Sequence, residues 1–251
     1  MPDSINREEG VTEILPDMKR IRLAVALAYL LIGLYFTSLP VLAQTYIADY
    51  HQNKFDNQML LNGRIWRNQY TKASGDQFFL TNTFVKGSVV FNGKKFDNLD
   101  LMYDIAGDEL IMSIVSHPTI IVNKEMVDSF DIIIGNRNYH IINAGTNTSG
   151  PLRGYVNAIY EGPSTLYVKY IKKLQPLAVD GRYDLFYQEH SMCLRKNTEI
   201  VAFEGKSNLL EILSDKKEQL KEYMKTGKIK LSRKDPDTFV PLLEYYDSLK
   251  D

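Results

Sequence analysis

The stretch "SVVFNGKKFDNLDLMYDI", residues 88–105, decides the fold class. Leu99, Leu101, Tyr103 and Ile105 alternate with Asn98, Asp100, Met102 and Asp104. A period of two with one apolar face marks a half-buried strand. The run "SVVF" precedes it, and Asn92-Gly93 stands between the two. Asn-Gly in that position is a strong hairpin signal, because both residues tolerate the positive φ of a type I′ turn.

The same punctuation recurs on either side. Ser74-Gly75-Asp76 separates "RIWRNQYT" from "QFFLT", and Ala106-Gly107-Asp108 leads into "ELIMSIV". Gly135-Asn136-Arg137-Asn138 parts "FDIII" from "YHIIN". Glu161-Gly162-Pro163-Ser164 parts "GYVNAIY" from "TLYVKYIKK", and Arg195-Lys196-Asn197 parts "MCL" from "EIVAF". Short β-rich runs with a turn between each pair imply antiparallel pairing. No helical pattern of about 10 to 15 residues intervenes between strands, which argues against parallel βαβ units. Residues 44–204 therefore read as an antiparallel body of roughly ten strands, a meander, sandwich or barrel-like arrangement.

The pattern changes at Gly205, and residues 205–251 read as two or three helices packed on that body. Ser207 is an N-cap candidate before Leu209, Leu210, Ile212 and Leu213. Asp215 and Glu218 stand at capping-box spacing, Leu220 and Met224 lie four apart, and Gly227 is placed to end the helix. Phe239, Leu242, Leu243, Tyr246 and Leu249 form one apolar stripe. Pro241 inside that stretch demands a kink or a later start. The fold class is thus α+β, mainly antiparallel β with C-terminal helices.

The N-terminal region has a different character. Residues 18–44 read "MKRIRLAVALAYLLIGLYFTSLPVLAQ". Lys19, Arg20 and Arg22 form a basic head, Leu23 to Phe36 an uncharged apolar core, and Thr37 to Ala43 a more polar tail broken by Pro40. Val41 and Ala43 occupy the positions signal peptidase reads, so residues 18–43 have the layout of a secretory signal peptide. The core falls short of the ~20 apolar residues of a spanning helix; an uncleaved anchor running to Ala43 is the alternative. Residues 1–17, with Glu8, Glu9, Glu13 and Asp17, suit such a head badly and read as a dispensable extension or a mis-assigned start. Residues 1–43 hold four of the 30 basic and five of the 31 acidic side chains. The mature chain, beginning at Gln44, then carries no net charge. That balance argues against nucleic-acid binding, which goes with a basic excess. The single cysteine, Cys193, leaves the fold to be held by its core and not by disulfides.

The succession "GSVVFNGKKFDNLDLMYDI", "NKEMVDSF", "YVKYIKK", "YDLFYQEH" and "GKSNLLEILSDKKEQLKEYMKTGKIKLS", closing on "YYDSL", resembles a group of uncharacterised exported proteins of Bacteroidota. The resemblance covers most of the mature chain. It implies an envelope or surface location and transfers no catalytic residue. Asp247-Ser248-Leu249 is similar to the short O-glycosylation sequon of those bacteria.

No catalytic, cofactor-binding or metal-ligating residue is assigned, and no cofactor is implied. His51, His117, His140 and His190 do not pair at metal-ligand spacing. His190 and Cys193, with Glu189 adjacent, make one H-x-x-C, whereas zinc needs three or four ligands. Ser116-His117 is no triad, and Ser149-Gly150 lies in no nucleophile elbow. Asp104, Asp108 and Glu109 cluster at one turn. Carboxylates so placed can do acid–base work or hold calcium, but are more often turn formers and solvated charges. Residues 143–154, "NAGTNTSGPLRG", lack a phosphate-loop signature and read as a surface loop. Tyr155, Tyr160, Tyr167, Tyr170, Tyr183 and Tyr187 could stack on sugars or on a partner's side chains, but the stronger reading is structural, since tyrosine is a favoured strand residue and cross-strand aromatic pairs stabilise sheets. Lys216 to Lys234 holds eight basic and two acidic residues and reads as a solvated helix face before a contact for anionic lipid or lipopolysaccharide.

The absence of any acid, base, nucleophile or metal constellation points to an exported, non-catalytic envelope or surface protein. Its partner would be an envelope protein or a surface glycan, and no transmembrane segment remains after signal cleavage. A small-ligand carrier or enzyme with a pocket inside the β-structure is the alternative, and an outer-membrane barrel a distant third.

Overall fold

The computed structural model describes residues 22–23, 25–30, 58–115, 117–145, 151–176 and 184–249. The chain divides into two units, Met1–Asn57 and Gln58–Asp251. In the first, residues 22–23 and 25–30 are helical and exposed. Among the described residues no helix is long and apolar enough to cross a membrane. The other residues of the expected signal peptide, residues 1–17 and the lead-in to residue 57 lie outside the described residues.

The second unit is α+β and mainly antiparallel. Its strands are β1 (Arg64–Ile65), β2 (Val85–Phe91), β3 (Lys94–Asp104), β4 (Glu109–Ser113), β5 (Ile120–Ile121), β6 (Val127–Ile134), β7 (Arg137–Asn143), β8 (Tyr155–Glu161), β9 (Ser164–Gln175), β10 (Leu185–Lys196) and β11 (Glu199–Phe203). They form one sheet, ordered β1-β5-β4-β3-β2-β6-β7-β8-β9-β10-β11. The meander is broken twice: β1 pairs with β5, so the chain passes from that edge to β2, and it breaks again after β5. After β5 the chain returns to lay β6 on the other edge of β2, so two runs of hairpins share a seam at β2. The Asn92-Gly93 turn forms as the sequence requires, with φ of 51° and 74°.

The sheet curls. Gln77–Phe79 pairs with the end of β3, through Phe79 N–H to Tyr103 O (2.9 Å) and Ile105 N–H to Gln77 O (3.0 Å). Lys172 N–H of β9 reaches Ile105 O at 3.3 Å, although β3 and β9 are not neighbours in the sheet. The inner face so enclosed is filled by side chains. Phe79, Tyr103, Phe130, Tyr139, Tyr155 and Tyr170 meet ring to ring at 5.0–6.1 Å. Around them pack Leu101, Leu110, Met112, Ile132 and Ile141.

The helices are α1 (Lys206–Ile212), α2 (Lys217–Thr226) and α3 (Val240–Ser248). With the short turn Pro236–Phe239 before α3, they cover Leu166, Val168, Met192, Leu194 and Phe203 of β9 to β11 with Leu209, Leu210, Leu220, Met224, Phe239, Leu242, Leu243 and Tyr246. Each such buried side chain is worth ~1.5–3 kcal/mol, which docks helices too short to stand alone. The stripe read from the sequence is buried from Phe239 to Tyr246, and α3 starts late, with Pro241 in its first turn. Of the three local end signals in this segment, two fail and one holds. Gly205, not Ser207, caps α1. Asp215 caps nothing: its carboxylate accepts from Lys196 Nζ (2.7 Å) and Tyr246 Oη (2.9 Å), and α2 starts at Lys217. Gly227 ends α2 with right-handed φ, and Lys228 takes the left-handed one.

Candidate functional site

The β3–β4 turn carries three carboxylates with three different tasks. Asp104 and Glu109 are cross-strand partners at its base. They stand two residues beyond Met102 and Ile111, so both lie on the outer face of the sheet, beside the small apolar cluster of Met102, Ile111 and Phe78. Asp104 Oδ1 accepts from Ala106 N–H (2.9 Å) and Gly107 N–H (2.8 Å). Its other oxygen has no hydrogen bond among the described residues, although the residue is only 5% exposed. Burial, with a smaller push from the charge of Glu109, raises the Asp104 carboxyl above its ordinary range against the pull of the two amides. Glu109 accepts from the Arg64 guanidinium. A Cβ built on Gly107 would lie 3.4 Å from both Asp104 Oδ2 and Glu109 Cδ, so the two carboxyl groups are within twice that distance of one another.

The segment before Gln77 builds a wall over this face. Gly63 lets β1 press onto β5: any Cβ there would sit 2.2 Å from Ile121 O. Trp66 N–H then bonds Thr119 O at 3.0 Å, and its ring leans on Phe78. Asn68 Oδ1 accepts from Tyr70 N–H (2.9 Å), and the Tyr70 ring meets Phe186 edge-on at 5.0 Å. The result is an open cleft of about 270 Å³. Trp66 and Tyr70 stand with Arg64, Arg67, Gln69, Gln77, Asp104 and Glu109 around it, and Ile121 contributes an apolar surface. A second cleft of about 380 Å³ shares Arg64, Gly107, Glu109 and Ile121 and runs on to Asn62, Asn123 and Lys124.

Asp108, at φ 55°, turns the opposite way. Its Oδ1 accepts from Lys169 Nζ (2.6 Å) and Tyr103 Oη (2.8 Å), and Oδ2 from Lys124 Nζ. Lys169 also donates to Tyr155 O at 2.9 Å. Burial works against the charge on Asp108, but Lys169 and Lys124 outweigh it and hold the carboxyl below its ordinary value. Lys169 is pushed down as well, first by burial and then by the like charge of Lys124, because one carboxylate serves two ammonium groups. Gly154 is required here. Its φ is +64°, and a Cβ would fall 1.8 Å from Asp108 Oδ2. This clasp joins the turn to β8 and β9 and supports the neighbouring cleft.

The other residues singled out from the sequence have ordinary roles. Cys193 is buried, its thiol pushed up to about 11 by burial, on the sheet face opposite His190, so the two share no site. Among the described residues no group of three His, Cys, Asp or Glu could hold a metal. His140 and Ser88 both bond Asp131, at 2.9 and 3.2 Å, which is not a relay, since the histidine does not reach the serine. His51, Ser116, Ser149-Gly150 and Tyr183 lie outside the described residues. Tyr155, Tyr167 and Tyr170 are packed within the body. Asp247 is taken by Tyr160 Oη and by Ser164 N–H and Oγ, and Ser248 Oγ bonds Tyr245 O within α3. The aromatic wall of the cleft was not singled out from the sequence. The available signal was the chain's only tryptophan, three residues before "QYT". No family model, curated protein or solved structure matches the chain.

Proposed function

We propose that this is an exported envelope or cell-surface protein that binds a surface glycan in the cleft of Trp66 and Tyr70. The observation that carries the reading is the pairing of two aromatic side chains with amide, carboxylate and guanidinium groups in one open cleft. Sugars present apolar C–H faces and a rim of hydroxyl groups. Aromatic rings take the first, and planar polar side chains take the second. Arg64 and Arg67 offset Asp104 and Glu109, which suits a neutral, polyhydroxylated ligand. Export rests on the layout of residues 18–43 and on the resemblance to exported proteins of Bacteroidota. A ligand pocket inside the β-structure has less support, because aromatic rings occupy the inner face.

The single tryptophan makes the test direct, since intrinsic fluorescence reports on the cleft itself. Titration with soluble peptidoglycan fragments and capsular or mucin oligosaccharides should give a saturable change with at least one of them. Trp66→Phe and Tyr70→Ala should weaken that binding when it is read by calorimetry. Absence of saturable binding to every saccharide would refute the reading. The carboxyl pair supports a second reading, hydrolysis of the bound glycan: burial keeps Asp104 protonated to higher pH, as an acid needs. Asp104→Asn should then abolish cleavage of the bound oligosaccharide and leave the fluorescence change intact.

A further inference from the structure

We propose that residues 225–234 form an electrostatic docking ledge for an anionic lipid surface. The segment reads "KTGKIKLSRK", with five cations and no carboxylate. Lys225, Lys228, Lys230, Arg233 and Lys234 are all exposed. Elsewhere in the unit the lysines at 86, 95, 124, 169, 172, 173, 196 and 221 each sit in an ion pair. Among the described residues Lys225, Lys228, Lys230 and Lys234 have no such partner, and Arg233 has only Glu204 at 3.5 Å. Much of the sheet's positive charge is therefore neutralised pairwise; Lys72, Lys206, Lys216 and Lys217 also lack an ion pair among the described residues, but residues 225–234 alone gather five cations in ten residues without a carboxylate.

The ledge is held in place. Gly227 N–H bonds Tyr223 O (2.9 Å) and Ile229 N–H bonds Met224 O (2.9 Å), so the chain leaves α2 along a defined path. Ile229 and Leu231 pack into the helix–sheet core, which sends the alternate Lys228 and Lys230 outward. Ser232 N–H is anchored by Thr238 Oγ1 at 2.8 Å. Charges presented on a fixed backbone meet a surface without the entropy cost of ordering the chain. The exposed side chains here are charged or polar, so attraction is to headgroup phosphates at the surface, reversible and screened by salt. A flat field of phosphates matches exposed cations spread over ten residues of chain better than a single phosphate ion would.

The test uses the full chain and vesicles of phosphatidylcholine with or without phosphatidylglycerol. Residues 18–43 add binding of their own, so the readout is the change between the native chain and Lys225→Gln/Lys228→Gln/Lys230→Gln. Each cation near an anionic surface raises partition about fivefold. The triple variant should therefore lose on the order of a hundredfold in its preference for anionic vesicles. It should keep its melting temperature and its binding to neutral vesicles. The preference should fade with added salt and resist inorganic phosphate at matched ionic strength. An undiminished preference in the variant, or displacement by inorganic phosphate at matched ionic strength, would overturn the proposal. A lowered melting temperature would be met by testing the three single variants, whose losses should multiply.

Discussion

Replacing Asp108 with asparagine should destabilise the Gln58–Asp251 unit far more than a surface substitution does. The carboxylate accepts from Lys169, Lys124 and Tyr103, and its side chain is 26% exposed, beside lysines 14% and 25% exposed. Asparagine removes the charge and turns an amide N–H₂ toward an ammonium group. Stranding the partner of a buried ion pair costs ~3–5 kcal/mol. Partial exposure screens these charges, so the expected loss is ~2–4 kcal/mol. For a unit of this size ~3 kcal/mol lowers the melting temperature by roughly 6–12 °C. The pH dependence follows from the directions of the shifts. Asp108 has its folded pKa below the unfolded one. Its stabilisation is therefore complete above the unfolded value and is lost as the pH falls through the folded one. Lys169 also has its folded pKa depressed, so the unfolded chain holds that proton more tightly and stability rises as alkali removes it. The difference in melting temperature between native and Asp108→Asn protein should thus be widest near neutral pH and shrink in acid. Thermal unfolding followed by circular dichroism across that range measures it. A shift under about 2 °C at neutral pH would mean the cluster behaves like an ordinary surface pair worth ~0–1 kcal/mol, and the clasp would not be structural.

Tyr155→Phe should leave stability unchanged or slightly raised, because the buried Tyr155 hydroxyl has no hydrogen-bond partner among the described residues; a fall of ~2 kcal/mol in urea unfolding would reveal a partner such as an internal water. Asp247→Ala removes the acceptor of Tyr160 Oη, Ser164 N–H and Ser164 Oγ and should cost ~2–3 kcal/mol, read as a lower urea midpoint with unchanged slope. Cys193→Ala should cost about 1 kcal/mol, and the native thiol should resist iodoacetamide until the protein is denatured, as mass spectrometry would record. Truncation after Asp235 removes Phe239, Leu242, Leu243 and Tyr246 from the core and should abolish cooperative unfolding.

Residues 88–105 and the turn signals after them determine the antiparallel class, the hairpins and the late start of α3. Those features are local: side-chain alternation, positive φ at Asn92 and Gly93, and the missing N–H of Pro241 act within a few residues. The stripe from Phe239 to Tyr246 had to be buried, for the same reason of periodicity. Strand order was not legible, because β5 is two residues long and nothing within one hairpin says that β6 will pair with β2. The cleft was not legible either. Trp66 and Tyr70 share a cleft with Asp104 because Gly63 lets β1 close on β5 and Gln77–Phe79 pairs with the end of β3. Asp215 shows the limit most simply: its spacing to Glu218 spelled a helix cap, and Lys196 and Tyr246 claimed its carboxylate instead. The turn of Asp104, Asp108 and Glu109 looked in sequence like solvated charge. Asp108 is instead clasped by Lys124 and by Lys169, which is 61 residues away along the chain. Only the curled sheet brings those ammonium groups together, since an ion pair depends on distance in space and leaves no period in the sequence.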